Sequence, residues 1–379
     1  MTSSLFPPTV YADRLRRAAA LAGDAGTPLI VTPGADLAYL TGIRSESFER
    51  LTALVITPAA VTVVVPRLEV AIVEASAVPD LPGAGLDVQV RDWVDGADPY
   101  ALVGAALDGA LPGPGATVAV ADAMPALHLL PLAQGLGLQA TLATDLLRRL
   151  RMRKDAAEVI ELRAAGAAID RVHARMSEFL RVGRTEREVS ADIAAAIAEE
   201  GHTRAEFVIV GSGPHGADPH HEVSDRVIEA GDVVVIDIGG PVPSGYNSDS
   251  TRTYSMGAPS PAIAESYAVL ERAQAASVAA VRPGATAEQI DAAGREILAS
   301  AGLADRFVHR TGHGIGLSVH EEPYIVAGNT DPVEPGMAFS IEPGIYFRGE
   351  WGARIEDIVV VTEDGCEAVN SRPHGLTVL

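Results

Sequence analysis

Hydrophobic residues between Thr27 and Asn247 fall into short runs that are rich in β-branched side chains. Clear examples occupy residues 28–32, 51–56 and 61–65. Short apolar runs bounded by glycine, proline and polar residues are typical of buried strands. Alanine-rich stretches of helical character separate these runs, and the alternation of the two patterns predicts a mixed α/β (α+β) fold.

A longer helical pattern begins near Asp145 and continues past Arg175. A chain of 379 residues exceeds what one hydrophobic core usually organises, so two domains are expected. We place the boundary just before the long helix, which gives domains of residues 1–147 and 148–379. Beyond that helix, the pattern predicts helices at 186–199, 262–281 and 287–301 and strands at 207–210, 233–238, 337–341 and 354–361.

Composition and charge narrow the class of protein without choosing a function. A hydrophobic share of 47% and a charged share of 21% describe an ordinary globular chain. The net charge of −21 would repel nucleic acid and anionic membrane surfaces, so neither partner is expected. The longest apolar stretch, residues 54–65, is too short to span a bilayer.

The cytoplasm is the expected location. Cys366 is the only cysteine and cannot form an internal disulfide. The first 23 residues carry Asp13 and three arginines where a signal peptide would need an apolar run.

Acidic residues stand within or at the ends of apolar strands in the second half of the chain, where an unpaired charge is costly to bury. Any one of them alone is better explained as a cap or a salt-bridge partner, and a lone histidine as a hydrogen-bonded core residue. Together, four carboxylates and one imidazole suit two divalent cations, whose charge the carboxylates and a bridging hydroxide would balance. The set is Asp237, Asp249, His313, Glu342 and Glu356. An oxygen-rich shell with an imidazole favours Mn²⁺, while Zn²⁺, Co²⁺ or Fe²⁺ also fit such ligands.

The segments around these residues resemble the five metal-ligand motifs of the pita-bread metallopeptidases, the group of Xaa-Pro aminopeptidases, prolidases and methionine aminopeptidases. The resemblance runs from about residue 148 to residue 361, and DLAYLTGI at residues 36–43 resembles the N-terminal domain that prolidases and Xaa-Pro aminopeptidases share with creatinases. It implies a creatinase-like N-terminal α/β domain followed by a pita-bread catalytic domain. Methionine aminopeptidases generally lack the first domain, so the resemblance favours the enzymes that cleave before proline.

The resemblance also implies a role for each ligand. Asp237 would hold one metal, Asp249 and Glu356 would bridge both, and His313 with Glu342 would complete the other shell. A metal-bridging hydroxide would attack the Xaa-Pro bond, and Glu342 would accept the water proton and pass it to the departing nitrogen. The two aspartates lie 12 positions apart, one more than is usual in the family, and we assign the extra residue to the turn around residues 241–245.

Three further residues match family positions. His220 and His320 would contact substrate and stabilise the tetrahedral intermediate, and Arg354 would pair with the neighbouring carboxylates. The neighbouring His221 is an alternative to His220, both histidines would merely cap a turn in another interpretation, and an ordinary surface salt bridge is the alternative for Arg354. Tyr246 and Arg252 flank Asp249 but are left out of the catalytic set.

Dipeptidase and aminopeptidase activities both remain open at this point. Some prolidases carry an arginine that captures the substrate carboxylate shortly after the motif that here reads HEEPY, and Tyr324 stands in its place. Arg44 or Arg50 from the N-terminal domain of either subunit is an alternative source of that charge. The resemblance implies a homodimer that acts on proline-containing dipeptides or short peptides.

Two rivals come from other classes. One is a creatinase-fold C–N hydrolase or lyase that acts on a small non-peptide substrate, since a fold does not fix a function. The other is a metal-free binding protein. The full set of five ligands favours the peptidase, because crowded carboxylates without cations repel one another.

Overall fold

The computed structural model describes residues 5–46, 49–111, 113 and 115–379. The chain divides into two compact units, Met1–Arg151 and Met152–Leu379. The domain boundary expected between residues 147 and 148 falls inside the helix Thr144–Arg151, just before this division. No helix in the described ranges is long and apolar enough to cross a membrane.

The first unit is built on one mixed six-stranded sheet. Its strand order is β4-β3-β2-β1-β5-β6, with antiparallel pairs in the β1-β2-β3 meander and parallel pairs elsewhere. The strands are β1 Leu29–Val31, β2 Ala53–Ile56, β3 Val61–Pro66, β4 Val88–Trp93, β5 Thr117–Val120 and β6 Gln139–Leu142. The helices are α1 Pro8–Asp24, α2 Ala35–Thr41, α3 Val70–Glu74, α4 Pro99–Leu107, α5 Ala126–Leu136 and α6 Thr144–Arg151.

The core of this unit forms where the strands β1, β2, β3 and β5 present buried apolar side chains. Strands β1, β2 and β3 are buried along their whole length, as continuous β-branched runs predict. Trp93 and Leu107 close the core from β4 and α4. The three strands predicted at residues 28–32, 51–56 and 61–65 are therefore confirmed.

The second unit holds two larger sheets and a hairpin. Their orders are β11-β10-β12-β15-β16, β17-β9-β8-β7 and β13-β14. The strands are β7 Phe207–Ser212, β8 Val233–Pro241, β9 Asn247–Ser255, β10 Gly312–Gly314, β11 Glu321–Ile325, β12 Ala338–Ile341, β13 Gly344–Phe347, β14 Trp351–Arg354, β15 Asp357–Val361, β16 Cys366–Ala368 and β17 Thr377–Val378. The helices are α7 Ala156–Ala174, α8 Met176–Phe179, α9 Glu186–Glu199, α10 Pro261–Ala280 and α11 Ala287–Ser300.

Helices pack on both sheets and create the cores of this unit. Helices α7 and α9 bury Ile169, Val189 and Ile193 against β8 residues such as Ile236. Helices α10 and α11 cover the other sheet, where Phe339 is fully buried. Helices α9 and α11 begin with capping boxes, which explains why their predicted starts are correct.

Two predicted elements are wrong in their continuity. The single helix from Asp145 past Arg175 is broken into α6 and α7, because Lys154 pairs with the Gly336 carbonyl at 2.7 Å and Asp155 starts α7 as its N-cap. The strand at 354–361 is broken into the end of β14 and β15, because Glu356 forms an isolated bridge with Thr251.

Candidate active site

Two of the predicted ligands lie on the central hairpin of the second unit. Strands β8 and β9 pair so that Asp237 is opposite Thr251 and Gly239 is opposite Asp249. Directly opposed residues share a face, as do residues two apart on one strand. Asp237 and Asp249 are therefore diagonal neighbours on one face of the hairpin.

The turn that joins these strands is the segment to which the aspartate spacing assigns one extra residue. It occupies residues 242–246, and the Val242 amide donates to the Tyr246 carbonyl at 3.0 Å. Gly245 has a φ of 87°, a left-handed conformation that favours glycine. The register of the two aspartates is thus set by paired strands.

The other three ligands come from the second sheet and its edge. His313 is on β10, Glu342 follows β12 directly, and Glu356 lies just before β15. Glycines allow β10 to approach its neighbours closely. A Cβ at Gly312 would lie 1.8 Å from the Ser340 carbonyl oxygen, so no other residue fits there.

Hydrogen bonds orient the imidazole of His313 for ligation. Its Nδ1 faces the Gly314 carbonyl at 3.1 Å, the usual partner of a ligating histidine. Its Nε2 lies 3.2 Å from Glu342 Oε1 and 3.5 Å from Asp249 Oδ2. Ser340 Oγ donates to the same Glu342 oxygen at 2.9 Å. The ring nitrogen that a metal would use therefore faces the carboxylates.

Two carboxylate oxygens in this cluster have no partner. Asp237 Oδ1 and Glu356 Oε1 are buried and accept no hydrogen bond among the described residues. Such groups are costly, since a buried acceptor normally finds a donor. Asp249, His313 and Glu356 also each offer a ligand atom within 4.8 Å of the others. The residues present therefore fit a divalent cation.

Burial and crowding shift the acidity of this cluster. Burial, followed by the charge of Asp237, raises the pKa of Asp249 well above its usual range. Burial and the charge of Asp249 likewise raise the pKa of Glu356. Burial also acts to raise the pKa of Glu342, but the hydrogen bond and charge of His313 outweigh it and lower that pKa to about 2. Without cations, the cluster therefore resists carrying its full negative charge.

A hydrogen-bonded chain supports one side of the cluster. Arg354 donates from Nη2 to Asp237 Oδ2 at 2.6 Å and from Nε to Thr251 Oγ1 at 3.1 Å. Its Nη1 donates to the Tyr346 hydroxyl at 2.9 Å, and that hydroxyl lies 2.9 Å from His309 Nε2. Arg354 is buried and bound to a ligand carboxylate, so the surface salt-bridge interpretation is wrong.

One cavity of about 720 Å³ contains the whole set. All eight residues proposed from the sequence line it: His220, Asp237, Asp249, His313, His320, Glu342, Arg354 and Glu356. The remaining lining residues were not predicted: Glu206, Phe207, Ile209, His309, Arg310 and Val319. Of these, His309 could have been proposed from the sequence, because it lies four residues before His313 in the segment HRTGH. Two residues with this spacing share a face in a helix and also in a strand.

The two adjacent histidines separate. His220 is exposed and lines the cavity, in a loop where Arg354 Nη1 contacts the Pro219 carbonyl at 3.4 Å. His221 points elsewhere and places Nε2 2.8 Å from Glu186 Oε2. His320 is close to His313, with ring centroids 4.1 Å apart. Burial, with the charges of His313 and Arg310, lowers the pKa of His320 to about 4.

The residues left out of the catalytic set lie outside the cavity lining. The Tyr246 hydroxyl donates to Glu158 Oε1 at 2.6 Å. Arg252 donates to the Glu356 carbonyl at 2.7 Å and to Asp357 Oδ1 at 2.6 Å, so it supports the backbone beside a ligand.

The two arginines considered as carboxylate binders lie in the first unit. There Arg50 forms a two-pronged ion pair with Asp95, at 2.9 Å for each bond. Ser47 and Phe48, which stand between Arg44 and Arg50 in the sequence, are outside the described residues.

An α/β chain whose second unit gathers buried, partly unsatisfied carboxylates and histidines in one cavity belongs to the class of metal-dependent hydrolytic enzymes by its site chemistry. Comparison with known families makes this specific. The model of metallopeptidase family M24 matches residues 161–363, and that of the Creatinase/Prolidase N-terminal domain matches residues 14–153. The chain belongs to metallopeptidase family M24.

Individual relatives agree over the full length. The "Probable dipeptidase PepE" of Mycobacterium tuberculosis is 63% identical over 381 residues, covering 100% of this chain and 99% of the relative. The crystal structure of dipeptidase PepE from Mycobacterium ulcerans is 63% identical with a TM-score of 0.92, covering 98% of this chain and 99% of that one. A prolidase structure from Thermococcus sibiricus is 34% identical with a TM-score of 0.88, covering 97% and 99%.

These findings confirm the expected fold class, a creatinase-like N-terminal domain followed by a pita-bread catalytic domain. They also confirm that the chain is a metallopeptidase with peptide substrates. The family implies divalent metal ions, in agreement with the unsatisfied oxygens of Asp237 and Glu356.

Proposed function

We propose that this protein hydrolyses the Xaa-Pro bond of dipeptides or short peptides with two divalent metal ions, as a prolidase or an Xaa-Pro aminopeptidase. The observation that supports this most strongly is the pair of buried, unpartnered oxygens on Asp237 and Glu356, in the cavity that the His313 imidazole also lines. Two acceptors and an imidazole nitrogen that line one cavity are groups suited to bind a divalent cation.

Two metals account for the ligand set better than one. Asp237 would hold the first metal, Asp249 and Glu356 would bridge, and His313 with Glu342 would complete the second shell. Four carboxylates match the charge of two divalent ions. The oxygen-rich shell favours Mn²⁺, with Zn²⁺, Co²⁺ and Fe²⁺ as the other candidates. When bound, such ions supply Lewis acidity that polarises the scissile carbonyl and acidifies water.

An apolar wall suits the proline ring. Ile209 is directly opposite Asp237 on β7, and Phe207 is two residues away on the same strand, so both share the face of the ligands. Val319 adds a third apolar surface. Proline offers no N–H, so recognition has to come from ring shape and from the orientation of the carbonyl groups. The prolidase relative from Thermococcus sibiricus supports this specificity.

Protons and charge are handled by residues around the cavity. Glu342 would accept the proton of the attacking water and pass it to the proline nitrogen, the role that the resemblance implies for it. His220 and His320 would contact the substrate and donate hydrogen bonds to the developing oxyanion. Arg354 would hold Asp237 in place through the bond at 2.6 Å. We also propose that the protein acts as a homodimer in the cytoplasm.

Metal-reconstituted activity tests this proposal. Metal-free protein would be loaded separately with Mn²⁺, Zn²⁺, Co²⁺ and Fe²⁺, and proline release from Ala-Pro and alanine release from Ala-Pro-Ala would be assayed. We expect cleavage that depends on metal, two bound ions per chain by elemental analysis, and loss of activity in Asp249→Ala. If no metal restores cleavage of either peptide, the proposal fails and a creatinase-fold C–N hydrolase or lyase becomes the better interpretation.

A further inference from the structure

Arg310 is a cavity residue that the metal chemistry does not use. It lies two residues before β10, and the adjacent Thr311 amide donates to the Ile325 carbonyl at 2.9 Å. This bond joins the backbone at Arg310 to the end of β11. The side chain lines the same cavity as the metal-ligand carboxylates.

The guanidinium of Arg310 has no acidic partner. Within the described part of the catalytic unit, no carboxylate lies within 4.0 Å of it, and its contact is with the ring of Tyr324, whose centroid is 4.5 Å from Cζ. The other arginine of the cavity, Arg354, differs because all three of its nitrogens are bound to Asp237, Thr251, Tyr346 and Pro219. Arg310 is therefore a half-buried cation whose hydrogen-bond donors remain available to a ligand.

We propose that the Arg310 guanidinium, held against the ring of Tyr324, binds the free α-carboxylate of the substrate's proline and makes the enzyme a dipeptidase. This inference rests on the proposed function. It commits the enzyme to one of the two activities that the proposed function leaves open. It also assigns a role to Tyr324, which stands where some prolidases have an arginine: its ring supports the side chain of Arg310.

The chemistry of the cavity favours this pairing. A dipeptide brings a carboxylate into a cavity already lined by five carboxylates, so binding needs a positive charge away from the metals. Arginine presents paired N–H donors that match a carboxylate, and stacking on an aromatic face reduces the freedom lost on binding. An amide in place of the carboxylate could not form the same ion pair.

Paired substrates isolate the effect of Arg310. Mn²⁺-loaded wild type and Arg310→Met would be compared on Ala-Pro and on Ala-Pro-NH₂, which differs only in lacking the carboxylate charge. For Ala-Pro we expect Arg310→Met to raise KM about 10- to 100-fold with little change in kcat. This is the result of losing an interaction that stabilises the bound substrate and the transition state equally. For Ala-Pro-NH₂ we expect KM to change less than about twofold.

Three further variants control for structure. Arg310→Lys keeps the charge without the paired donors, so it should recover part of the lost affinity for Ala-Pro. Tyr324→Leu removes the supporting ring and should raise the KM for Ala-Pro alone. Arg306→Met removes another arginine stacked on an aromatic ring, Phe347 at 4.8 Å, outside the cavity, and should leave both KM values unchanged. Thermal unfolding of each variant would verify folding.

The outcomes distinguish failure of the proposed function from failure of the role assigned to Arg310. If wild type cleaves neither substrate with any metal, the proposed function and this inference fall together. If wild type cleaves Ala-Pro but Arg310→Met and Arg310→Lys keep its preference over the amide, the proposed function stands and this inference is overturned. Equal cleavage of both substrates by wild type would also overturn it.

Discussion

Two acid–histidine groups in the catalytic unit have the spacing of metal ligands, yet their chemistry differs. One is Asp249 with His313 and Glu356, and the other is Glu186 with His215 and His221. In each group the ligand atoms lie within 4.8 Å of one another. Spacing alone does not separate a metal site from a hydrogen-bonded cluster.

The carboxylate of Glu186 is fully satisfied by the protein. Oε1 accepts from the Ser212 amide at 2.9 Å and from its hydroxyl at 2.7 Å, and Oε2 accepts from the Ser224 hydroxyl at 2.7 Å. His215 and His221 also contact it, at 3.0 and 2.8 Å. Burial alone would raise the pKa of Glu186, but these hydrogen bonds outweigh it and lower the pKa to about 2. Its position at the first residue of α9 adds the favourable field of a helix N-terminus.

Three of the cavity carboxylates, Asp237, Asp249 and Glu356, show the opposite balance. Asp237 and Glu356 each keep an unpartnered oxygen, and the pKa values of Asp249 and Glu356 are raised by burial and by neighbouring charges. The difference lies in the supply of donors: the protein satisfies both oxygens of Glu186 but leaves one oxygen each of Asp237 and Glu356 without a donor. Unmet hydrogen-bonding capacity, and not the number of acidic and histidine side chains, distinguishes the candidate metal site.

Activity should separate the two groups most strongly. Glu356→Gln is expected to lower kcat/KM for Ala-Pro by about three orders of magnitude, since loss of metal-derived charge stabilisation costs several kcal/mol. Glu186→Gln should lower it less than about tenfold, because Glu186 does not line the cavity. Steady-state kinetics in the same Mn²⁺ buffer checks both, and comparable losses in the two variants would contradict the comparison.

The sequence was sufficient to propose the five candidate metal ligands, because each is an acid or a histidine within or beside a predicted strand or a glycine-rich segment. It also predicted local elements such as α9, whose bounds match residues 186–199. It could not predict the break before α7, because Lys154 binds Gly336 and Glu321 from distant parts of the chain. Local periodicity carries no information about such contacts.

Residues in or beside the cavity were missed for a related reason. Tyr346 and Arg310 stand in segments where a tyrosine or an arginine is ordinary, and only the fold brings them beside the ligands. Likewise, the sequence could not show that His221 contacts Glu186, because Glu186 lies at the start of α9, far from His221 in the sequence. Partners supplied by tertiary packing decide these roles.

Stability against pH is the second test of the comparison. Glu186→Gln is expected to lower the free energy of unfolding at pH 7 by about 3 kcal/mol, because the pKa of Glu186 falls from 4.5 to about 2 on folding and each unit is worth about 1.4 kcal/mol. Since the folded pKa is the lower one, this stabilisation is complete above pH 4.5 and is lost as the pH falls towards 2.

Urea denaturation of both proteins from pH 7 to pH 3 measures this effect. The two curves should differ at pH 7 and converge below pH 4.5. Glu265→Gln, which changes an exposed carboxylate on α10, is the matched control and should leave the stability unchanged. A gap between wild type and Glu186→Gln that stays constant with pH would show that the charge of Glu186 contributes nothing.

The smallest and most telling effect is expected for Asp249→Asn in metal-free protein. The folded pKa of Asp249 is raised, so its ionised form costs stability at pH 7 and that cost disappears as the pH falls towards 3.8. At pH 7, metal-free Asp249→Asn should therefore melt roughly 2–4 °C above metal-free wild type, the shift that about 1 kcal/mol gives a domain of this size. Near pH 4 the two proteins should melt at the same temperature. Mn²⁺ should reverse the order, because only wild type keeps the full ligand set and gains stability from binding. Calorimetry with EDTA and then with Mn²⁺ measures both orders. A metal-free variant that melts below wild type at pH 7 would mean that the protein itself satisfies this carboxylate, as it does Glu186.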